Sequence, residues 1–456
     1  MTPRTVTRIA VAHCLLTLPV ALGCGGGPDL QRLAHEAVLG PAAQAEAARA
    51  ALRAAGPAGL EALCAAHRGL LERAETCHDP ERLADDAEWR SLCAALDAVG
   101  RARDTQAARL YWHTDLEAAK AAARAGGKPI LSLRLLGNLD DEFSCANSRF
   151  FRTVLYANAE VSRLLRDEFV LHWQSVRPVP RVTIDFGDGR VLERTITGNS
   201  IHFVLDADGR PLDGLPGLYS PAEFVRHVRA LRALAAQTAG PPGALRIARL
   251  GEVDPVRAYH AEALNRLRQR WAGQLMTSGA PVELALAGLA RGFPRAEVAA
   301  GRAVSKMRAE LPILGATRLD DWPLEHATQQ IGWERLAARL LPEVQLDAGS
   351  LRLMRGKVAT APGCRADAMA GGGLDAIVES FRRSIALDTA RNELLFHREI
   401  HKWFMHGDRV DNLDLLSARV YAELFLTPDD DPWLGLLPPD VYAALPGGGV
   451  RTGPRP

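Results

Sequence analysis

The sequence predicts a protein of mixed α and α/β class, in which a central α/β domain is flanked by mostly α-helical regions. Strand patterning is confined to residues 128–218, where short apolar runs are separated by turn residues. On both sides, alanine-rich stretches place apolar side chains at helical spacing. A chain of 456 residues is long enough for about three domains, which agrees with this division.

The N-terminal residues have the pattern of an export signal. Two arginines among the first eight residues precede an apolar run at 9–20, which is too short to span a bilayer as a helix. The run ends in VALGC and resembles the lipobox of a bacterial lipoprotein, with Ala21 where leucine is usual. The resemblance implies removal of residues 1–23, a lipid on Cys24 and a glycine-rich tether over 24–29. The alternatives are a plain secretory signal or a chance apolar start.

Residues 30–109 are predicted to form an N-terminal helical region, because apolar side chains recur at helical spacing throughout. Three cysteines fall in this region, Cys64, Cys77 and Cys93. In an oxidising compartment two of them could pair, and Cys64 with Cys77 would close the shortest loop. The alternative is that they are small buried hydrophobic residues, which is the more common fate of a helical cysteine.

The central domain is predicted over residues 110–237, and its elements follow one another closely. They are a helix at 115–125, a strand at 129–133, a helix at 160–167, a strand at 169–173, a hairpin at 181–197, a strand at 202–205 and a helix after Ser220. Ser144 is a suitable N-cap, which would place Cys145 in the first turn of a further helix. Backbone N–H groups at a helix start lower a thiol pKa, and Arg149 and Arg152 add positive potential there.

This order of elements over residues 111–234 resembles a thioredoxin-like domain, with Cys145 at the first cysteine of the redox motif and FVLDADG at a core strand and its turn. Two positions depart from that family. Ser148 stands where the second cysteine is expected, and Ser200 stands where the family has a cis-proline. Since a dithiol oxidoreductase needs a resolving thiol, ordinary thioredoxin turnover is not expected. The resemblance implies a site at Cys145 and Ser148.

The same resemblance implies that three further residues line the site. They are Asn147 in the motif and, on the loop that would face it, Asn199 and Ser200.

A linker is predicted at 238–243, followed by a C-terminal helical domain over 244–440 and a disordered tail over 441–456. A long helix is expected from residue 374 to about residue 404. It carries His397 and His401, which are four residues apart and could bind one metal ion from the same face. No third ligand can be nominated, and histidines on the solvent or interface side of an amphipathic helix are the more common case, so no metal is expected.

These observations leave three hypotheses. The chain is a membrane-anchored lipoprotein of the cell envelope, facing the periplasm or the cell surface, whose thioredoxin-like domain is redox-degenerate and serves a protein-binding or scaffold role. Alternatively, Cys145 acts as a lone thiol in thiol–disulfide exchange or in a chaperone-like role. A metal-dependent hydrolase using His397 and His401 is the weaker third. Protein partners in the envelope are expected, but no cofactor, and the net charge of +1 gives no basis for nucleic-acid binding.

Overall fold

The computed structural model describes residues 29–77, 79–196, 199–239, 254–278, 330–359, 373–407, 410–434 and 444–450. The predicted signal peptide with Cys24 lies outside these ranges, as do Cys364 and most of the linker. Within the predicted C-terminal helical domain, the helical spacing also predicts helices at 282–290 and 296–310, and both lie outside the described ranges. Within the predicted tail, the described residues include a short 3-10 helix, Pro446–Gly449.

The N-terminal region is helical, as the alanine-rich periodicity predicts. Its helices are α1 (Leu30–Leu39), α2 (Ala42–Ala54), α3 (Pro57–Ala66), α4 (Arg68–Thr76), α5 (Pro80–Asp85), α6 (Ala87–Gly100) and α7 (Thr105–Ala108). Asp29 and Asp86 accept hydrogen bonds from the first backbone N–H groups of α1 and α6, which fixes where these helices begin. The leucines and alanines of this region form an apolar core of their own.

A five-stranded mixed sheet lies at the centre of the molecule. Along the chain its strands are β1 (Trp112–His113), β2 (Ile130–Leu136), β3 (Val170–Arg177), β6 (Ser200–Leu205) and β7 (Pro211–Pro216). Their order across the sheet is β1-β3-β2-β6-β7. The β1–β3 and β2–β3 pairs are parallel, whereas the β2–β6 and β6–β7 pairs are antiparallel. Strand β2 is buried along its whole length, because it is central in the sheet and covered on both faces.

Helices α8 (Leu116–Gly126), α9 (Ala146–Phe150), α10 (Ala159–Glu168) and α11 (Pro221–Thr238) belong to the same unit. A π-helical segment, Phe151–Tyr156, continues α9. The predicted hairpin is present as β4 (Arg181–Asp185) and β5 (Val191–Thr195), which pair as a separate two-stranded sheet. Ser220 caps α11 as predicted. The N-cap prediction at Ser144 is wrong, since Cys145 itself occupies that position with extended backbone and α9 begins at Ala146.

The C-terminal region is helical in the described ranges. Its helices are α12 (Pro255–Ser278), α13 (Gln330–Leu340), α14 (Ala348–Ala359), α15 (Gly373–Arg391), α16 (Arg398–His406) and α17 (Leu413–Arg419). The long helix predicted from residue 374 is present, but it is interrupted by a π-helical segment, Asn392–His397, between α15 and α16. A second π-helical segment, Val420–Leu424, follows α17. Among the described residues, none of the helices has the length and apolarity needed to span a membrane.

One apolar core joins the sheet to the C-terminal helices. Leu133 and Phe203 of the sheet belong to the same buried cluster as Trp271, Trp333 and Leu394. The core therefore continues across the boundary predicted at 238–243. Cys64, Cys77, Cys93 and Cys145 are all free thiols, so the pairing that the sequence left open does not occur among them.

The contact between Gly217 and Asn392 lies at this junction. Gly217 follows β7 with φ +72°, a backbone conformation that residues with a Cβ adopt at a cost. A Cβ at this position would lie 2.5 Å from Nδ2 of Asn392. That amide is buried and donates a hydrogen bond to the carbonyl oxygen of Leu218 (2.8 Å), so it cannot move aside without breaking the bond.

We predict that Gly217→Ala lowers the free energy of unfolding by about 3 kcal/mol, because backbone strain and overpacking against Asn392 add. Gly127→Ala is the matched control. Gly127 also has positive φ, +61°, but nothing lies within 4 Å of the position that its Cβ would take, so about 1 kcal/mol is expected. Denaturant unfolding of both variants measures the difference, and equal losses would contradict a tight junction between the sheet and the C-terminal helices.

Candidate functional site

Cys145 lies at the N-cap of α9, directly after the loop that leaves β2. Its backbone N–H donates to the carbonyl oxygen of Leu136 (3.2 Å), which holds the start of α9 against the end of β2. The thiol itself is fully buried. Its Sγ lies 3.0 Å from Oγ of Ser200 and 3.5 Å from Oγ of Ser148. The structure therefore brings together the three residues at which the sequence placed the motif and its facing loop.

The two serine hydroxyls occupy the space around the thiol in different ways. Ser148 Oγ donates to the carbonyl oxygen of Cys145 (2.8 Å), so its proton is already used within the helix start. Ser200 is the first residue of β6 and approaches from the sheet. Asn147 is also buried, but its Oδ1 has no hydrogen-bond partner among the described residues. A hydroxyl at position 148 cannot resolve a mixed disulfide, because it offers no second sulfur.

The C-terminal region covers this side of the sheet. Tyr421, in the π-helical segment after α17, donates its hydroxyl to the carbonyl oxygen of Asn199 (2.7 Å), the residue before Ser200. Burial, with a contribution from the neighbouring Cys145, raises the pKa of Tyr421 well above its ordinary value, so the phenol stays protonated and remains a donor. The loop beside the thiol is thus tied to a residue more than 200 positions away.

One of the two arginines expected near the thiol is engaged in ion pairs. Arg152 is almost completely buried and lies 3.6 Å from Asp104 and 4.0 Å from Glu142. Because its charge is offset by carboxylates, Arg152 adds less potential at Cys145 than the sequence suggested.

A second group of polar side chains is buried between β7 and the C-terminal helices. Its members are Asp213 on β7, His260 on α12, His397 at the end of the π-helical segment and His401 on α16, each at most 2% exposed. Nε2 of His397 lies 2.9 Å from Oδ2 of Asp213, and Nδ1 of His401 lies 4.0 Å from Oδ1. Nδ1 of His260 lies 2.8 Å from Nδ1 of His401. We call these four residues the histidine–aspartate cluster.

The sequence left His397 and His401 on the solvent or interface side of their helix, and the structure places both at an interface. Both are buried on the face of the helix that packs against the sheet, together with Glu393. Sequence reasoning found the spacing of the two histidines but missed Asp213 and His260. The sequence signal that could have pointed to Asp213 was its position as a charged residue inside the otherwise apolar strand PLDGLP.

A neighbouring acidic group differs from this cluster in its charge balance. Glu223 on α11 and Glu393 lie close to His227, and Arg226 bonds to both carboxylates, at 2.9 Å from Glu393. Arg270 also pairs with both carboxylates, at 2.5 Å from Glu223 and 3.5 Å from Glu393. Two guanidinium groups therefore face two carboxylates, and the charges offset one another.

The histidine–aspartate cluster has a different composition. In the described part of the chain, the ion pairs of Asp213 involve only the side chains of His397 and His401. Burial raises the pKa of Asp213, but the nearby His397, His401 and His260 lower it by a larger amount. The net shift is therefore downward, and the carboxyl group is ionised at neutral pH. Burial lowers the pKa of His260 and holds that of His401 well below its ordinary value, which disfavours the charged form of both imidazoles.

Comparison of the chain with known protein families finds no matching family, and comparisons with curated proteins and with solved structures find no match either.

We predict that Tyr421→Phe lowers the free energy of unfolding by about 1 kcal/mol and raises the alkylation rate of Cys145 in the folded protein about fivefold, because the loop at Asn199 loses a donor that ties it down. Tyr111→Phe is the matched control, since the Tyr111 hydroxyl also donates to a backbone carbonyl, that of Arg53 (3.0 Å). Tyr111→Phe is expected to lower the free energy of unfolding by a similar amount and to leave the alkylation rate of Cys145 unchanged. Equal labelling of both variants would show that Tyr421 does not protect the thiol.

Proposed function

We propose that this chain is a cell-envelope lipoprotein whose sheet-centred unit is thioredoxin-like but redox-silent, and that it acts by binding other proteins. The strand order and directions support the thioredoxin-like assignment, since β2 is parallel to β3 on one side and antiparallel to β6 on the other. The position of Cys145 at the start of the helix after β2, with Ser200 facing it, supports it as well.

The observation that carries the proposal is the burial of the Cys145 thiol between two hydroxyl groups. A thiol that exchanges disulfides with other proteins must be reached by their sulfur atoms, and buried cysteines in apolar surroundings are inert. Cys145 is fully buried and belongs to the apolar core shared by the sheet and the C-terminal helices. Its neighbours Ser148 and Ser200 supply no second thiol. These facts favour a structural cysteine over the alternative of monothiol exchange.

The β4–β5 hairpin is the surface that best supports a binding role. It pairs only with itself and carries three exposed apolar side chains, Ile184, Phe186 and Val191, of which Phe186 is 55% exposed. Because Ile184 pairs with Leu192 and Asp185 with Val191, Ile184 and Val191 lie on opposite faces of the ribbon. Exposed apolar side chains such as these are typical of protein interaction sites. We therefore assign the partner contact to this hairpin.

We predict that Cys145→Ser keeps the set of proteins captured by in-cell crosslinking, because the thiol takes no part in binding. Phe186→Ser is expected to reduce that capture at least about tenfold, the effect of losing one interface residue of about 1.4 kcal/mol or more. Leu39→Ser is the matched control, since Leu39 is an exposed apolar residue on α1, outside the hairpin. Capture lost in Cys145→Ser, together with mixed disulfides trapped on the wild-type thiol, would favour monothiol exchange instead.

The membrane anchor is tested separately. Cys24→Ser is expected to abolish incorporation of a labelled fatty acid and to move the protein from the membrane fraction to the soluble fraction, because the lipid would be attached to that sulfur. Cys14→Ser, which changes a cysteine inside the apolar run, is the control and should leave both unchanged. Lipid incorporation that persists in Cys24→Ser would contradict the lipoprotein assignment.

A further inference from the structure

The histidine–aspartate cluster brings three possible metal ligands together inside the protein. Asp213, His260 and His401 each offer one ligand atom, and the three atoms lie within 4.8 Å of one another. They come from β7, α12 and α16, three elements that are far apart in the sequence. All three residues are at most 2% exposed, so their convergence is not an accident of long surface side chains.

The hydrogen bonds around His260 leave its ligand atom free of a proton. Its Nε2 lies 2.9 Å from the carbonyl oxygen of Leu212, and a carbonyl can only accept, so Nε2 carries the proton. In the neutral imidazole, Nδ1 then has a lone pair, and it faces Nδ1 of His401. A backbone carbonyl that accepts from the outer nitrogen of a histidine is the arrangement that orients metal-binding imidazoles.

Asp213 is oriented in a comparable way. Nε2 of His397 lies 2.9 Å from Oδ2, and Oδ1, on the side of His401, accepts a hydrogen bond from the backbone N–H of Gly214 (2.7 Å), so both oxygens are held in place. With that bond made, Nδ1 of His397 is buried and has no hydrogen-bond partner among the described residues. An unpartnered buried nitrogen beside the cluster indicates that a water molecule or an ion completes this region.

The distances suit a metal ion after small movements. Ligands about 2.0–2.1 Å from a tetrahedral ion lie about 3.3–3.4 Å apart. The two Nδ1 atoms, now 2.8 Å apart, would separate by about half an ångström, and Oδ1 of Asp213, now 4.0 Å from Nδ1 of His401, would approach by about as much. The remaining pair of ligand atoms, on Asp213 and His260, lies within 4.8 Å and would close by at most about 1.5 Å.

The composition of the cluster also suits a cation. Asp213 is fully buried, and its ion-pair partners are imidazoles, whereas the adjacent Glu223 and Glu393 are each offset by arginines. A divalent ion would hold this carboxylate with a fixed positive charge. The π-helical segment that ends at His397 places that residue beside the strand, and such segments are frequent at functional sites.

We propose that Asp213, His260 and His401 bind a divalent transition metal ion, with His397 as the residue that positions the carboxylate. Two imidazoles and one carboxylate are a donor set shared by Zn²⁺ and Fe²⁺ sites, and water supplies the remaining position. The ion ties the C-terminal helices to the edge strand of the sheet. This proposal does not depend on the proposed binding function or on Cys145.

The test begins with the purified full chain, stripped of metal by a chelator under conditions in which its circular dichroism is unchanged. Zn²⁺, and in a separate anaerobic arm Fe²⁺, is titrated into the stripped protein. One equivalent of metal is expected to bind and to raise the melting temperature. The ion that binds with the higher affinity is assigned to the site. Folded, stripped protein that takes up less than about a tenth of an equivalent of either ion overturns the proposal.

Variants then locate the site. Asp213→Asn and His401→Gln are expected to weaken binding at least about 100-fold, because each loses a direct ligand. His172→Gln is the matched control, since His172 is a buried histidine that bonds to Ser132 (2.8 Å) away from the cluster, and its metal content should be unchanged. Metal retained in Asp213→Asn and His401→Gln would place the ion outside this cluster, for example at Glu223, His227 and Glu393, and overturn the proposal. Should either variant fail to fold, the titration of the stripped wild type decides.

The positioning role of His397 has its own readout. His397→Gln keeps an N–H donor for Asp213 and is expected to stay within about tenfold of the wild-type affinity, whereas His397→Leu should lose about 10- to 100-fold. If both variants lose metal affinity by the same factor, His397 is a ligand or a packing residue, which contradicts the assigned role.

Discussion

A carboxylate that is removed from water must be offset by hydrogen bonds or by positive charge, and Asp213 imposes this requirement on the fold. It lies on the edge strand β7, fully buried, with its backbone in the sheet and its side chain directed at the C-terminal helices. The groups that meet it come from α12, from the π-helical segment and from α16. The sheet therefore carries a buried acid that the C-terminal helices compensate, which explains why the core does not divide at the linker.

The C-terminal region serves both polar sites of the molecule. At one it supplies His260, His397 and His401 to Asp213, and at the other it supplies Tyr421 to the loop beside Cys145. The thiol at the second site is fully buried.

Much of the central unit could be predicted from the sequence, because the relevant signals are local. The apolar run at β2, the glycines at the tip of the hairpin and Ser220 before α11 each act within a few residues. The pairing of His397 with Asp213 could not be predicted in this way, since the two residues are 184 positions apart. The N-cap at Cys145 was missed because Ser144 is the better capping residue by type, whereas the backbone path after β2 decides the position.

The sheet and the C-terminal helices share one core, and both polar sites depend on that union. Native-state hydrogen exchange of the full chain at increasing denaturant measures the opening free energy of each segment. We expect the amides of β2, β6 and β7 and those of α15 and α16 to open together, with one common free energy. Helices that exchange at a clearly lower free energy, while the sheet stays protected, would contradict a shared core.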